Sequence, residues 1–171
     1  LALSAVVSSH NQEKRDERLK QIDKDTEERL GRRNKNSKEA EELLKKLRNH
    51  GVTPVKYEKI PLSTEESVYY VTNAVHLRRT RNAVQEDCGD FLLTNKRAIF
   101  NGNNLMVYLY SKNPIAQLYV DAIRFNRASD PYEIGFQMPR PHIAYAYFIF
   151  LRDMHAADIN PEKEKTFSRI Q

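Results

Sequence analysis

Apolar residues change their spacing twice along this chain, and the changes divide it into three parts. From His10 to Arg33 they are sparse. Leu19, Ile22, Thr26 and Leu30 recur at spacings of three and four, a stripe one residue wide, in a run of charged helix formers without proline. So thin a stripe is too narrow for burial inside a domain. It suits a solvated helix, a weak two-stranded coiled coil, or contact with a neighbouring protein. Gly31 and Asn34-Lys35-Asn36 then predict a break. A second helix is expected to restart with Asn36 and Glu39 as a capping box. Ala40, Leu43, Leu44 and Leu47 form its apolar face, and Asn49-His50-Gly51 ends it, Gly51 being free to adopt the left-handed conformation. That face predicts docking on the domain that follows. Residues 1–51 are thus expected to be a charged helical arm of two helices.

After Pro54 the period shortens to that of strands. Tyr69–Leu77, Phe91–Thr94, Arg97–Phe100, Leu105–Tyr110, Ala116–Asp121, Ile123–Asn126 and Tyr132–Gln137 read as short strands rich in β-formers. Glu86–Asp90 reads as a turn or bulge, Asn95-Lys96 as a hairpin turn, and Asn101-Gly102-Asn103-Asn104 as the next turn. Met138-Pro139-Arg140-Pro141 stops the last strand and opens a helix over 141–156 that is apolar nearly all round. The expected fold class is therefore α+β, an N-terminal helical arm followed by an antiparallel β-barrel or sandwich over 52–157, closed by the C-terminal helix. Residues 158–171 read as a polar tail.

One segment carries a family resemblance. Gly89-Asp90-Phe91-Leu92-Leu93-Thr94-Asn95-Lys96-Arg97-Ala98-Ile99-Phe100-Asn101-Gly102 resembles the G-x-L-x-L-T-x-x-R-L-I-F hairpin of GRAM and bacterial pleckstrin-homology (PH)-like domains, departing from it at Phe91 and Ala98. Leu62–Tyr70 is similar to the approach to their first strand, and the resemblance spans roughly residues 55–155. It implies a PH-like fold and binding of lipids or protein partners. Within the hairpin, Arg97 begins the return strand, where its guanidinium is expected to brace the turn or an adjacent carboxylate.

Composition sharpens this picture. All nine Tyr and seven Phe lie between Tyr57 and Phe167, so one core fits in about 100 residues. Thirteen of the 28 Lys/Arg and ten of the 23 Asp/Glu fall in residues 1–50, which carry +3 of the net +5. The interleaved signs argue against a dedicated nucleic-acid binder, leaving the basic arm around Arg32, Arg33, Lys35 and Lys38 as a remote alternative. The single Cys88 excludes an internal disulfide and a multi-cysteine metal site, is expected to be a small buried side chain, and points to an intracellular chain. The apolar start Leu1–Val7 reads either as the end of a longer apolar helix leaving a bilayer, on its cytoplasmic face, or as an ordinary helix N-terminus.

For chemistry, the closest match to the basic cluster that the resemblance implies is His76, Arg78, Arg79 and Arg81, with Arg79 and Arg81 on one face of the strand and Arg78 on the other. Paired guanidinium donors suit phosphate. The acidic Glu86, Asp87 and Asp90 oppose an anion site, and the lysine-spacer-arginine signature of phosphoinositide binders is not met. No metalloprotease, phosphate-loop or nucleophile-elbow pattern occurs, and no metal or cofactor is expected. The leading expectation is a non-catalytic scaffolding module with protein partners, self-associating through Leu19, Ile22 and Leu30 or binding through Tyr145 and Phe148. A peripheral domain for anionic lipid headgroups is the alternative.

Overall fold

The computed structural model describes residues 2–126 and 133–162; within the first helix, the side chains of residues 2–12, 22, 23, 26, 27, 29–31, 33 and 34 lie outside the described set. Ile22 and Leu30 of the expected self-association stripe, Arg33 of the basic arm and most of the 158–171 tail therefore lie outside it too. The chain divides into two compact units, Leu1–Lys35 and Asn36–Gln171.

Helix α1 spans Ala2–His50 and is helical through Gly31–Asn36, where a break was expected. Asn36 does not cap a helix. Its side-chain amide donates instead to the Val120 carbonyl at 2.9 Å. The residues flanking the glycine are good helix formers, and one glycine costs only about 1 kcal/mol in a helix interior. The expected stop is present: Gly51 has φ 67° and its amide donates to the Leu47 carbonyl. In the first unit the described side chains stand in solvent, Leu19 at 51% exposure among them.

The second unit is α+β. Strands β1 (Val68–Arg79), β2 (Val84–Thr94), β3 (Arg97–Asn101), β4 (Leu105–Leu109), β5 (Ala116–Leu118), β6 (Ala122–Phe125) and β7 (Glu133–Gln137) form one antiparallel sheet in the order β4-β3-β2-β1-β7-β6-β5. Helix α2 spans Pro141–Ala156, as its proline start predicted. Glu86–Asp90, expected as a turn, lies within β2, paired with β1 at His76↔Asp87, Leu77↔Glu86 and Asn73↔Asp90. The chain reverses earlier, where Thr80 bonds Ala83 through both backbone and side chain. Gly89 serves a close approach rather than a turn, since a Cβ there would lie 2.3 Å from the Asn101 carbonyl oxygen.

The sheet is strongly curled. Tyr108 on β4 and Phe125 on β6 are five strand steps apart in the sheet order, about 24 Å in a flat sheet at ~4.8 Å per strand. Their rings stack at 4.4 Å. Phe91, Phe100 and Phe136 fill the space between, all fully buried. Phe148 of α2 meets Phe125 edge-on at 5.0 Å. It is 0% exposed and belongs to the core, which corrects the expectation that it serves a protein interface; Tyr145 is half-buried against the same core. Ala146 and Phe150, far round the helix from Phe148, are buried as well. Their cover is the end of α1, whose Leu43, Leu44 and Leu47 join the cluster. Glu39–His142 at 3.3 Å and Arg48–Asp153 at 3.5 Å tie the two helices at both ends and show that they run in the same direction. The docking that the apolar face predicted is thus realised.

The outer face of the hairpin is also covered. Val68, Leu92 and Ile99 pack beneath Tyr57, Ile60 and Leu62 of the connecting segment. This is why both alternating sets of the hairpin, Phe91/Leu93 and Leu92, are apolar.

Candidate functional site

The β2–β3 hairpin is held by a buried ion pair. Arg97 donates to Glu66 from Nε to Oε1 at 2.8 Å and from Nη2 to Oε2 at 3.2 Å. Thr94 Oγ1 donates to Oε1, and the backbone amide and hydroxyl of Ser63 donate to Oε2, each at 2.9 Å. Burial pushes the Glu66 carboxyl up, but the Arg97, Ser63 and Thr94 hydrogen bonds outweigh it and hold it down at about 2. Arg97 has the bracing role expected of it. All of its partners are structural, so this cluster fixes where β1 begins relative to the hairpin.

Of the four residues in the expected basic cluster, His76 is the buried one. It is 8% exposed, inside the curled sheet, with its ring 4.9 Å from Phe136 and its Nε2 3.7 Å from Glu133 Oε1. Glu133 is 3% exposed and accepts from the Tyr108 hydroxyl at 2.7 Å. His76 and Arg78 line a depression of about 670 Å³ together with Glu86, Asp87, Asn103 and Asn104. Asp87 there accepts from the amides of Asn103 and Asn104 and so pins the β3–β4 turn. Arg79 lies on the opposite face and lines a different depression, of about 490 Å³. Arg81 is exposed in the turn after β1. The strand alternation anticipated from sequence thus separates Arg78 from Arg79; of the acidic residues anticipated as opponents, Glu86 and Asp87 share the Arg78 depression, while Asp90 pairs with Lys59.

The depression that holds Arg79 arises from an irregularity in β7. Leu77 pairs with Gly135 and Arg78 with Glu133, so Ile134 is an extra residue, a β-bulge. Gly135 has φ +144°, and a Cβ there would lie 2.9 Å from the Ile123 carbonyl oxygen. The bulge turns Glu133 into the core and Ile134 outward. Around it, Leu77 and Arg79 from β1, Ala122 and Arg124 from β6, and Tyr119 from the preceding turn form a concave outer surface. Among the described residues neither Arg79 nor Arg124 makes a salt bridge. A second depression of about 790 Å³ adjoins this one through Asp121 and Gln137, whose side chains hydrogen-bond at 3.0 Å. It runs along β1 past Val75 to Asn73 and includes Cys88.

Cys88 is exposed rather than buried. It occupies an outward position on β2, opposite Val75, beyond the reach of the Tyr57–Leu62 cover. Arg124 was not singled out in the sequence, although its place between buried Ile123 and Phe125 marks it as outward-facing. Tyr119 and Ile134 carried no such signal. Among the described residues no group of three or more His, Cys, Asp or Glu side chains could hold a metal ion, and no helix is long and apolar enough to cross a membrane.

No family model matches the sequence, and no curated protein compared with it is similar.

Proposed function

We propose that this chain is a non-catalytic PH-like interaction module, serving as a cytoplasmic part of a larger or membrane-associated assembly. The order of elements supports the PH-like reading: a run of short antiparallel strands, with the last returning to pair beside the first, followed by one C-terminal helix. The Gly89–Gly102 hairpin adds the sequence resemblance.

The observation that carries the interaction reading is how the polar groups are distributed. Glu66, Arg97 and Asp87 are each consumed by a structural contact, and one oxygen of the buried Glu133 accepts from Tyr108. The outer face of β1 and β7, by contrast, keeps an open furrow lined by Arg79 and Arg124, which make no salt bridge among the described residues. Fold by itself does not assign a ligand, so the proposal rests on that surface.

The test is photo-crosslinking in cells from residues spread over the second unit, followed by reconstitution of any recovered pair from purified proteins. A defined protein partner that binds the purified chain stoichiometrically is expected. Absence of such a partner at every position would remove the reading.

The lipid-headgroup alternative finds less support, because the arginines proposed for it face apart and Glu86 and Asp87 share the Arg78 depression. Sedimentation with anionic vesicles separates the two readings. Salt-sensitive pelleting, abolished by changing Arg78, Arg79 and Arg81 to Ala, would replace the protein-partner reading with this one. A steep salt dependence in a nucleic-acid mobility assay would favour the basic arm as a nucleic-acid contact.

A further inference from the structure

We infer that the outer furrow along β1 is a binding site for an extended protein segment carrying an acidic residue at one end. This rests on the interaction-module reading and names the surface and the chemistry of the partner. The furrow follows the outward-facing positions of β1 from Asn73 to Arg79. Six residue steps at ~3.3 Å each give about 20 Å, the length of a six-residue extended peptide.

Its two arginines are confined to one end of that length. At this end, Arg79 and Arg124 reach the same concavity from two different strands; Asp121 and Glu133 also line it, but they bond to Gln137 and Tyr108, and among the described residues neither forms a salt bridge with the two arginines. Two guanidinium groups around one depression offer fixed, paired donors to a carboxylate. The middle is walled by Leu77, Val75 and Val120, which suits apolar side chains at alternate positions of a strand-like ligand. Asp121 then presents a carboxylate, held by Gln137, that favours a donor on the ligand.

The concavity is built into the backbone. The Ile134–Gly135 bulge twists β7 and moves Ile134 to the outer face, where it floors the cationic end. The whole strip is laid out for an elongated occupant rather than a compact ion. The Arg78 depression, by contrast, holds a single arginine together with Glu86 and Asp87.

The test selects a phage-displayed random heptapeptide library against the full 171-residue chain, with the Arg79→Gln/Arg124→Gln chain as counter-selection. Peptides with Asp or Glu at one end and alternating apolar residues after it are expected to be enriched. In amide-resolved NMR titration they should shift Leu77, Arg79, Arg124 and Ile134 saturably. Loss of the two charge-assisted contacts should weaken binding by at least about tenfold. Because Arg124 is half-buried, Arg79→Gln alone, at an exposed position, serves as the second variant and should weaken binding severalfold.

Enrichment that ignores the counter-selection, peptides without an acidic end, or shifts confined to other surfaces would overturn the assignment. So would binding of phosphatidylserine vesicles, but not of peptides, through the same two arginines. If crosslinking identifies a partner docked elsewhere, the module reading stands and this furrow is excluded. If crosslinking finds no partner at all, the module reading falls as well.

Discussion

Two leucines on one helix show how differently the same residue is used in the two units. Leu19 and Leu47 both lie in α1, both among charged neighbours, and both in good helix-forming sequence. Leu19 is 51% exposed, whereas Leu47 is 6% exposed and part of the aromatic core. The difference lies in what surrounds them. Leu47 has Leu43, Leu44 and Ala40 on the same face, an apolar stripe wide enough to cover the far side of α2. Leu19 belongs by sequence to a stripe one residue wide, and its own side chain stands in solvent. Helix propensity is similar at both ends, and only the width of the apolar face separates a docked helix from a solvated one.

Substitutions can break this contrast, and the largest effect is expected within the second unit. Arg97→Ala leaves the Glu66 carboxylate buried without its cation, a loss of about 3–5 kcal/mol measured by chemical denaturation. A loss below about 1 kcal/mol would show that Ser63 and Thr94 alone satisfy the carboxylate. Next, Leu47→Ala should cost about 2–4 kcal/mol, from lost transfer energy and the cavity left behind. The comparison fails if that change is tolerated.

Acid should reach the second unit through Glu66. Its carboxyl is held at about 2 in the folded chain, well below its ordinary value, so the folded state favours the ionised form. The resulting stability is fully present above pH ~5 and is lost as pH falls toward about 2. Glu66→Gln should flatten that part of a plot of melting temperature against pH while lowering stability at neutral pH. An unchanged acid limb would remove Glu66 as its source. The smallest effect is expected for Leu19→Ala, within about 0.5 kcal/mol of the parent. Sedimentation equilibrium of the same variant sharpens the comparison: a weakened self-association at unchanged stability would identify Leu19 as a contact between copies of the chain.

Much of the fold was legible because it is written in local periods. The seven strand segments, the turn at Asn95-Lys96, the stop at Gly51 and the start of α2 at Pro141 follow from alternation, turn chemistry and proline geometry. The errors fall where long-range pairing outweighed local preference. Glu86–Asp90 is polar enough for a turn, yet an eleven-residue ladder between β1 and β2 takes it into a strand and gives Asp87 a turn to cap. Gly31–Asn36 looks like a break, yet the helix passes through it, and Asn36 bonds to Val120 far along the sequence. Of the candidate site, Arg79 was visible and Arg124 was recoverable from alternation. The buried location of His76 was not, because it depends on a glutamate more than fifty residues away.

The sequence by itself determined the centres of the strand segments and the place of the C-terminal helix, that one aromatic core exists, and that this helix is heavily buried. Those properties depend on neighbours within one or two turns or strands. Only the tertiary structure decided which way β7 faces. Strict alternation would bury Ile134 with Phe136 and expose Glu133. The bulge at Ile134–Gly135 inserts one residue, reverses the parity, and sends Glu133 inward to Tyr108 and Ile134 outward beside Arg79 and Arg124. A single extra residue inverts a pattern of period two, and where it falls is fixed by the partner strands.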